Sequence, residues 1–139
     1  MKKVLFGLLV LATIASCKKD DPATTCDVSV AGIAGSYKPT KAVAVIAGIS
    51  TDITSTVFDA CDLSGVYQLK ADKTVTYTET ATCAGNGTGT WDVASGKITI
   101  VHSGNGADYN GVTVSNNCTT LTLSETSGPS TVTYTFTKQ

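Results

Sequence analysis

The sequence is poor in the residue types that most often carry out catalysis or bind metals. Among 139 residues there is one histidine, His102, and no two of the five cysteines have the CxxC spacing of zinc or redox sites. Charged residues make up 15% of the chain, the net charge is −1, and no basic cluster of the kind that contacts nucleic acid is present. We therefore expect a protein that is not an enzyme and has no metal, no cofactor and no nucleic-acid partner.

A long hydrophobic run is present only at the N-terminus. Residues 4–14 follow the basic Met1-Lys2-Lys3 and are too few to span a bilayer as a helix, which is typical of a signal peptide. The next residues, Ile14-Ala15-Ser16-Cys17, resemble the lipobox of bacterial lipoproteins, whose cysteine carries diacylglycerol and palmitate after cleavage. The alternative is an ordinary secretory signal in which the cysteine is incidental. We predict a lipoprotein signal peptide over residues 1–16 and a membrane anchor on Cys17.

A short charged and polar stretch separates this cysteine from the rest of the chain. Lys18-Lys19-Asp20-Asp21 resembles the export signal that follows the lipidated cysteine in surface-displayed lipoproteins of some Gram-negative bacteria. The alternative is a solvated charged linker. We interpret residues 17–32 as the lipidated N-terminus and tether, and we predict an outer-membrane location, with the cell surface favoured over the periplasmic face.

The cysteines after Cys17 are even in number, which in an exported chain favours two disulfides over free thiols. Four cysteines allow three pairings. We predict Cys61–Cys83, which would tie together the ends of a central hairpin, and by elimination Cys26–Cys118, which would join the N-terminal segment to a late strand.

Apolar and polar residues alternate with the period of a β-strand over most of residues 33–139, which we interpret as one domain. A first strand is predicted from Gly35 to Ile46, and residues 49–58 are predicted to form a second strand and one helical turn. Short Gly, Asn and Ser turns join about eight strands in succession, and the outward positions are mostly threonine. The pattern predicts an all-β, up-and-down antiparallel barrel, with a sandwich as the alternative.

Several motifs in this region resemble a known family. They are Asp59-Ala60-Cys61 before the strand Tyr67-Gln68-Leu69, Asp72 in the next turn, Gly-Thr-Gly-Thr-Trp at 87–91 and Gly-Lys-Ile-Thr-Ile at 96–100. Together they resemble the lipocalin-like domain of small bacterial surface lipoproteins, over roughly residues 33–137. Gly35-Ser36-Tyr37 stands where lipocalins usually have Gly-x-Trp. The resemblance implies a barrel that is used for binding.

Two functions are consistent with this pattern. In the first, the protein binds a small apolar molecule inside the barrel, against inward side chains that we predict to line the cavity: Tyr67, Leu69, Tyr77, Trp91, Ile100, Leu123, Tyr134 and Phe136. In the second, these side chains fill the barrel, and its loops contact a protein of the cell envelope. We interpret His102 as an isolated surface or rim residue, and Asp59, Asp62 and Asp72 as turn carboxylates rather than calcium ligands.

Overall fold

The computed structural model describes residues 26–83 and 85–139. The predicted signal peptide, Cys17 and most of the predicted tether lie outside the described residues. Within them the elements are α1 Val30–Ile33, β1 Gly35–Ile46, β2 Ile49–Asp52, α2 Thr54–Val57, a 3₁₀ turn Asp62–Ser64, β3 Val66–Leu69, β4 Thr74–Thr78, β5 Asn86–Ala94, β6 Lys97–Gly104, β7 Tyr109–Asn116, β8 Thr120–Ser127 and β9 Ser130–Lys138. Neither described helix has the length or apolar content needed to cross a membrane.

The strands form a closed ring in which every pairing is antiparallel. Strands β3 to β9 pair in chain order, and β9 pairs back with β1, which also pairs with β3. The ring therefore contains eight strands, and β2 is a ninth that pairs with the second half of β1. The predicted fold class is confirmed, and closure of the ring through β1 and β9 distinguishes the barrel from the sandwich.

Alternation along each strand explains why the sheet closes. In β4 the inward Val75 and Tyr77 are buried between exposed or half-buried threonines, and in β8 Leu121 and Leu123 are buried between half-buried threonine and serine residues. Burying one apolar face requires an opposing surface, which the barrel supplies by facing its own far wall. The predicted boundaries of β1 are confirmed, as is the strand followed by a helical turn at β2 and α2.

One end of the barrel, which we call the closed end, is covered by the N-terminal segment. The side chain of Ser29 caps α1 by accepting a hydrogen bond from the Gly32 amide (3.1 Å), and α1 places a fully buried Ile33 against the core. The Tyr37 hydroxyl donates to the Ile33 carbonyl (2.7 Å), so this tyrosine packs beneath α1. The Cys26–Cys118 disulfide fastens the same segment to the turn between β7 and β8.

The opposite end, which we call the open end, carries five connections between elements, including the two longest. They are the β1–β2 turn, α2 with the 3₁₀ turn, the β4–β5 loop, the β6–β7 loop and the β8–β9 turn. The Cys61–Cys83 disulfide links two of these connections. Both disulfides in the structure thus have the pairings predicted from the sequence.

Candidate ligand site at the open end

The barrel interior is filled by its own side chains. The void at its centre has a volume of about 10 Å³, and Tyr67, Leu69, Ile100, Leu123 and Phe136 are among the residues around it. That space is no larger than a single water molecule needs. The prediction of an apolar ligand among these residues must therefore be corrected, because an eight-stranded barrel is just wide enough for large side chains to fill it. The residues Leu69, Tyr77, Trp91, Ile100, Leu123 and Phe136 are packed core.

A pocket of about 270 Å³ lies instead at the open end, immediately above this core. Its apolar surface includes four aromatic rings, those of Phe58, Tyr67, Tyr109 and Tyr134. Of the eight predicted lining residues, Tyr67 and Tyr134 are the two that line this pocket. Its volume is just below the range of about 300 to 1,000 Å³ common for small-molecule sites, so its ligand would be small.

The segment from β2 to the 3₁₀ turn forms one side of the pocket. Two hydrogen bonds fix this segment to Ala42 of β1. The Ile53 amide donates to the Ala42 carbonyl (2.9 Å), and the Thr54 hydroxyl accepts from the Ala42 amide (3.0 Å). Ala42 lies between the part of β1 that pairs with β3 and the part that pairs with β2. The chain then turns through α2 and directs a buried Phe58 inward, with its ring centroid 6.2 Å from that of Tyr134. Backbone contacts therefore hold this wall in place.

Tyr67 and Tyr109 of the pocket are buried phenols. Burial raises the pKa of Tyr67 to about 12, and it raises the pKa of Tyr109 still further above the ordinary value of a phenol. The Tyr67 hydroxyl accepts a hydrogen bond from the Ala107 amide (2.9 Å), which fixes the β6–β7 loop over the core. The rings of Tyr109 and Tyr134 are 5.5 Å apart in an edge-to-face arrangement. A phenol is uncharged at physiological pH even without this shift, so these two tyrosines add no charge to the pocket that they border.

Three carboxylates also line the pocket, from Asp62, Asp108 and Glu125. Asp62 accepts a hydrogen bond from the Asp59 amide (3.0 Å), while Asp59 in turn accepts from the amides of Cys61 and Asp62. The interpretation of Asp59 as a turn carboxylate agrees with these bonds. Asp62 also lines the pocket, which the sequence did not predict.

Asp72 and Trp91 lie at the other end of the barrel. Asp72 accepts hydrogen bonds from the amide and hydroxyl of Thr74 in the β3–β4 turn, which lower the pKa of its carboxyl group and make it a turn residue as interpreted. The indole of Trp91 donates to the Lys70 carbonyl (2.9 Å) near that turn. Neither residue contributes to the open-end pocket.

His102 occupies the rim position that the sequence suggested, but it is not on the surface. Its side chain is 1% exposed, and its ring lies 5.4 Å from that of Tyr67 and 6.3 Å from that of Tyr77. Neither ring nitrogen forms a hydrogen bond with the described residues, and the carboxylate of Asp108 lies 3.5 Å from Nδ1. Burial lowers the pKa of this imidazole. The alternation through Ile98 and Ile100 already indicated an inward side chain here.

The residues Cys61, Glu79 and Cys83 place potential metal ligands within 4.8 Å of one another. Both sulfurs belong to one disulfide and cannot act as thiolates. The Glu79 carboxylate accepts hydrogen bonds from the Tyr77 hydroxyl (3.0 Å) and the Gly85 amide (2.9 Å), which accounts for its position. This cluster is part of the loop framework of the open end.

A small up-and-down barrel with one covered end and a pocket at the other has the fold of small-molecule-binding β-barrels. The family model of the lipocalin-like domain matches residues 33–123. The chain belongs to this family, as its motifs suggested, and proteins of this kind are typically binding proteins rather than enzymes. No curated protein and no solved structure matches the chain.

Proposed function

We propose that this protein is a lipid-anchored binding protein of the bacterial outer membrane, exposed at the cell surface, which holds a small molecule in the pocket at its open end. The observation that carries the proposal is the pocket of about 270 Å³, lined by aromatic and acidic residues, above a filled barrel. The sequence suggested a ligand site at the centre of the barrel. Because side chains fill that space, we place the proposed site at the mouth of the barrel.

A matched pair of valine substitutions tests the pocket. Val57 lines the pocket, whereas Val101 is partly exposed on β6 and does not line it. We expect the neutral fluorescent probe N-phenyl-1-naphthylamine to bind the full-length chain, and Val57→Trp to weaken this binding at least about fivefold by occupying the pocket. The control variant Val101→Trp is expected to bind like the wild type. Equal binding by both variants, or no binding by the wild type, would contradict a ligand site at this position.

The predicted anchor gives the barrel an orientation. Cys17 precedes Cys26 by nine residues, and the Cys26–Cys118 disulfide lies at the closed end. A tether of nine residues reaches at most about 30 Å, so the closed end would stay near the membrane and the pocket would face away from it. Cys17→Ala is expected to move the protein from the membrane pellet to the soluble fraction. A variant that still sediments with membranes would refute the anchor.

A second candidate function, an interaction lipoprotein, is favoured by the tip of the β1–β2 hairpin. Ile46 and Ile49 pair with each other there and are 55% and 72% exposed. Exposed apolar side chains of this size commonly mark contact sites. A photo-crosslinker in place of Ile49, with a second one in place of Thr90 on the outer wall of β5 as control, tests this function in cells. A specific adduct at Ile49 alone would support it, and identical products at both positions would exclude it.

A further inference from the structure

The charges of the described chain are distributed unequally between the two ends of the barrel. The open end carries the carboxylates of Asp59, Asp62, Glu79, Asp108 and Glu125 and no lysine. The sequence contains no arginine. The described lysines lie on β1 or at the closed end, namely Lys38, Lys41, Lys70, Lys73, Lys97 and Lys138. The mouth is therefore negatively charged although the whole chain is almost neutral, and such a field attracts cations.

The pocket combines this charge with aromatic surface. Asp62, Asp108 and Glu125 line the same 270 Å³ as four aromatic rings. Aromatic faces attract organic cations, and they do so more strongly when the cation is partly removed from water. A neutral apolar ligand would gain nothing from the carboxylates, and an anionic ligand would be repelled by them.

Glu125 is the most informative of the three carboxylates. The alternation that turns Leu121 and Leu123 inward puts Glu125 on the same side of β8, at the rim of the barrel, where it is exposed to solvent. Its side chain forms no ion pair or hydrogen bond with any described residue, whereas Asp62 and Asp108 accept amide hydrogen bonds. Lys97 borders an outer depression that Glu125 also lines, but the two do not form a salt bridge. A rim carboxylate that lines the pocket and has no partner among the described residues is available to a ligand.

We infer that the open-end pocket selects small organic cations, that is, amines or quaternary ammonium compounds with an aromatic or aliphatic body. This inference rests on the proposed function, because it names the ligand class of the same pocket. The ammonium group would lie among Asp62, Asp108 and Glu125, and the apolar body would pack against the rings of Phe58 and Tyr134.

Three probes of similar shape and different charge separate this inference from the proposed function. They are 2-phenylethylammonium, 2-phenylethanol and 3-phenylpropionate, each titrated into the ¹⁵N-labelled full-length chain with amide shifts as the readout. We expect the ammonium compound to bind at least about tenfold tighter than the alcohol, to shift the Ala107 and Tyr109 amides, and to weaken as salt is added. The carboxylate is expected to bind most weakly.

Two variants with the same change in net charge locate the effect. Glu125→Gln removes the rim charge without removing a protein hydrogen bond, and we expect it to weaken ammonium binding roughly three- to tenfold while leaving alcohol binding within about twofold. The control Asp92→Asn removes a carboxylate that pairs with Lys73 (2.9 Å) at the closed end, and it is expected to leave both affinities within about twofold.

The outcomes are distinguishable. If the alcohol binds at the Ala107 and Tyr109 amides as tightly as the ammonium compound, the cation preference is wrong and the binding function stands. If none of the three probes shifts these amides, both are wrong. If Glu125→Gln and Asp92→Asn weaken ammonium binding equally, the selectivity does not come from the pocket and the inference is overturned.

Discussion

Removing the Cys26–Cys118 disulfide is expected to destabilise the barrel more than removing Cys61–Cys83. The two bridges span 92 and 22 residues. If a disulfide acts mainly by restricting the unfolded chain, these spans correspond to about 4.6 and about 3.4 kcal/mol of stability at 25 °C. The longer bridge also holds α1, whose buried Ile33 covers the closed end of the core.

The measurement is urea unfolding of the oxidised full-length chain and of two double variants, Cys26→Ser with Cys118→Ser and Cys61→Ser with Cys83→Ser. Trp91 is the single tryptophan and is buried in the core, so its fluorescence reports on the whole barrel, and far-ultraviolet circular dichroism provides a second probe. Coincident transitions by both probes would justify a two-state free energy for each variant.

An equal or larger loss of stability in the Cys61–Cys83 variant would refute an effect of loop length. A loss of less than about 1 kcal/mol in the Cys26–Cys118 variant would refute it as well. Such a small loss would mean that the N-terminal segment separates from the barrel before the barrel unfolds, so that the bridge constrains no part of the cooperative unit.

Three further substitutions test individual contacts. Because burial lowers the pKa of His102, the unfolded state binds more protons than the folded state, and wild-type stability is expected to fall as the pH drops below about 6.5. Thermal unfolding measured from pH 8 to pH 5 should show a smaller loss for His102→Phe. The same pH dependence in both proteins would contradict this role of His102. Trp91→Phe removes the hydrogen bond to the Lys70 carbonyl, and we expect the free energy of unfolding to fall by about 1 to 3 kcal/mol in urea unfolding followed by circular dichroism. An unchanged free energy of unfolding would mean that water takes the place of the indole as hydrogen-bond donor. Gly89→Ala places a Cβ against the Val101 carbonyl oxygen of the neighbouring strand, so we expect the free energy of unfolding to fall by about 2 to 3 kcal/mol in the same assay. An unchanged urea midpoint would show that the backbone can shift to make room.

Much of the fold follows from local sequence because each strand carries its own signal. The alternation of Val75 and Tyr77 with threonine specified β4, and the even number of late cysteines specified two bridges. The helical turn at α2 follows β2 in the predicted order. These features depend on neighbours in the chain, which the sequence shows directly.

The site was harder to predict because it depends on closure of the ring. Phe58, Tyr109 and Glu125 come from a loop and two different strands, and they meet only because β9 pairs back with β1. The alternation identified inward residues, yet it could not show that Leu69, Ile100 and their neighbours fill the interior to within about 10 Å³. Whether an inward residue lines a cavity or fills the core depends on the diameter of the barrel, which no single strand determines.

The position of β2 outside the ring affects how the protein behaves at high concentration. Among the described strands of the ring, pairing in a circle leaves little backbone free to add a strand from another molecule. Strand β2 pairs only with β1, so its outer margin from Ile49 to Asp52 offers four residues for such addition, and it ends in an aspartate. So short a margin with a charge at its end is a poor template for polymerisation, which would suit the lipid-anchored protein proposed above, whose copies would be crowded together on a membrane.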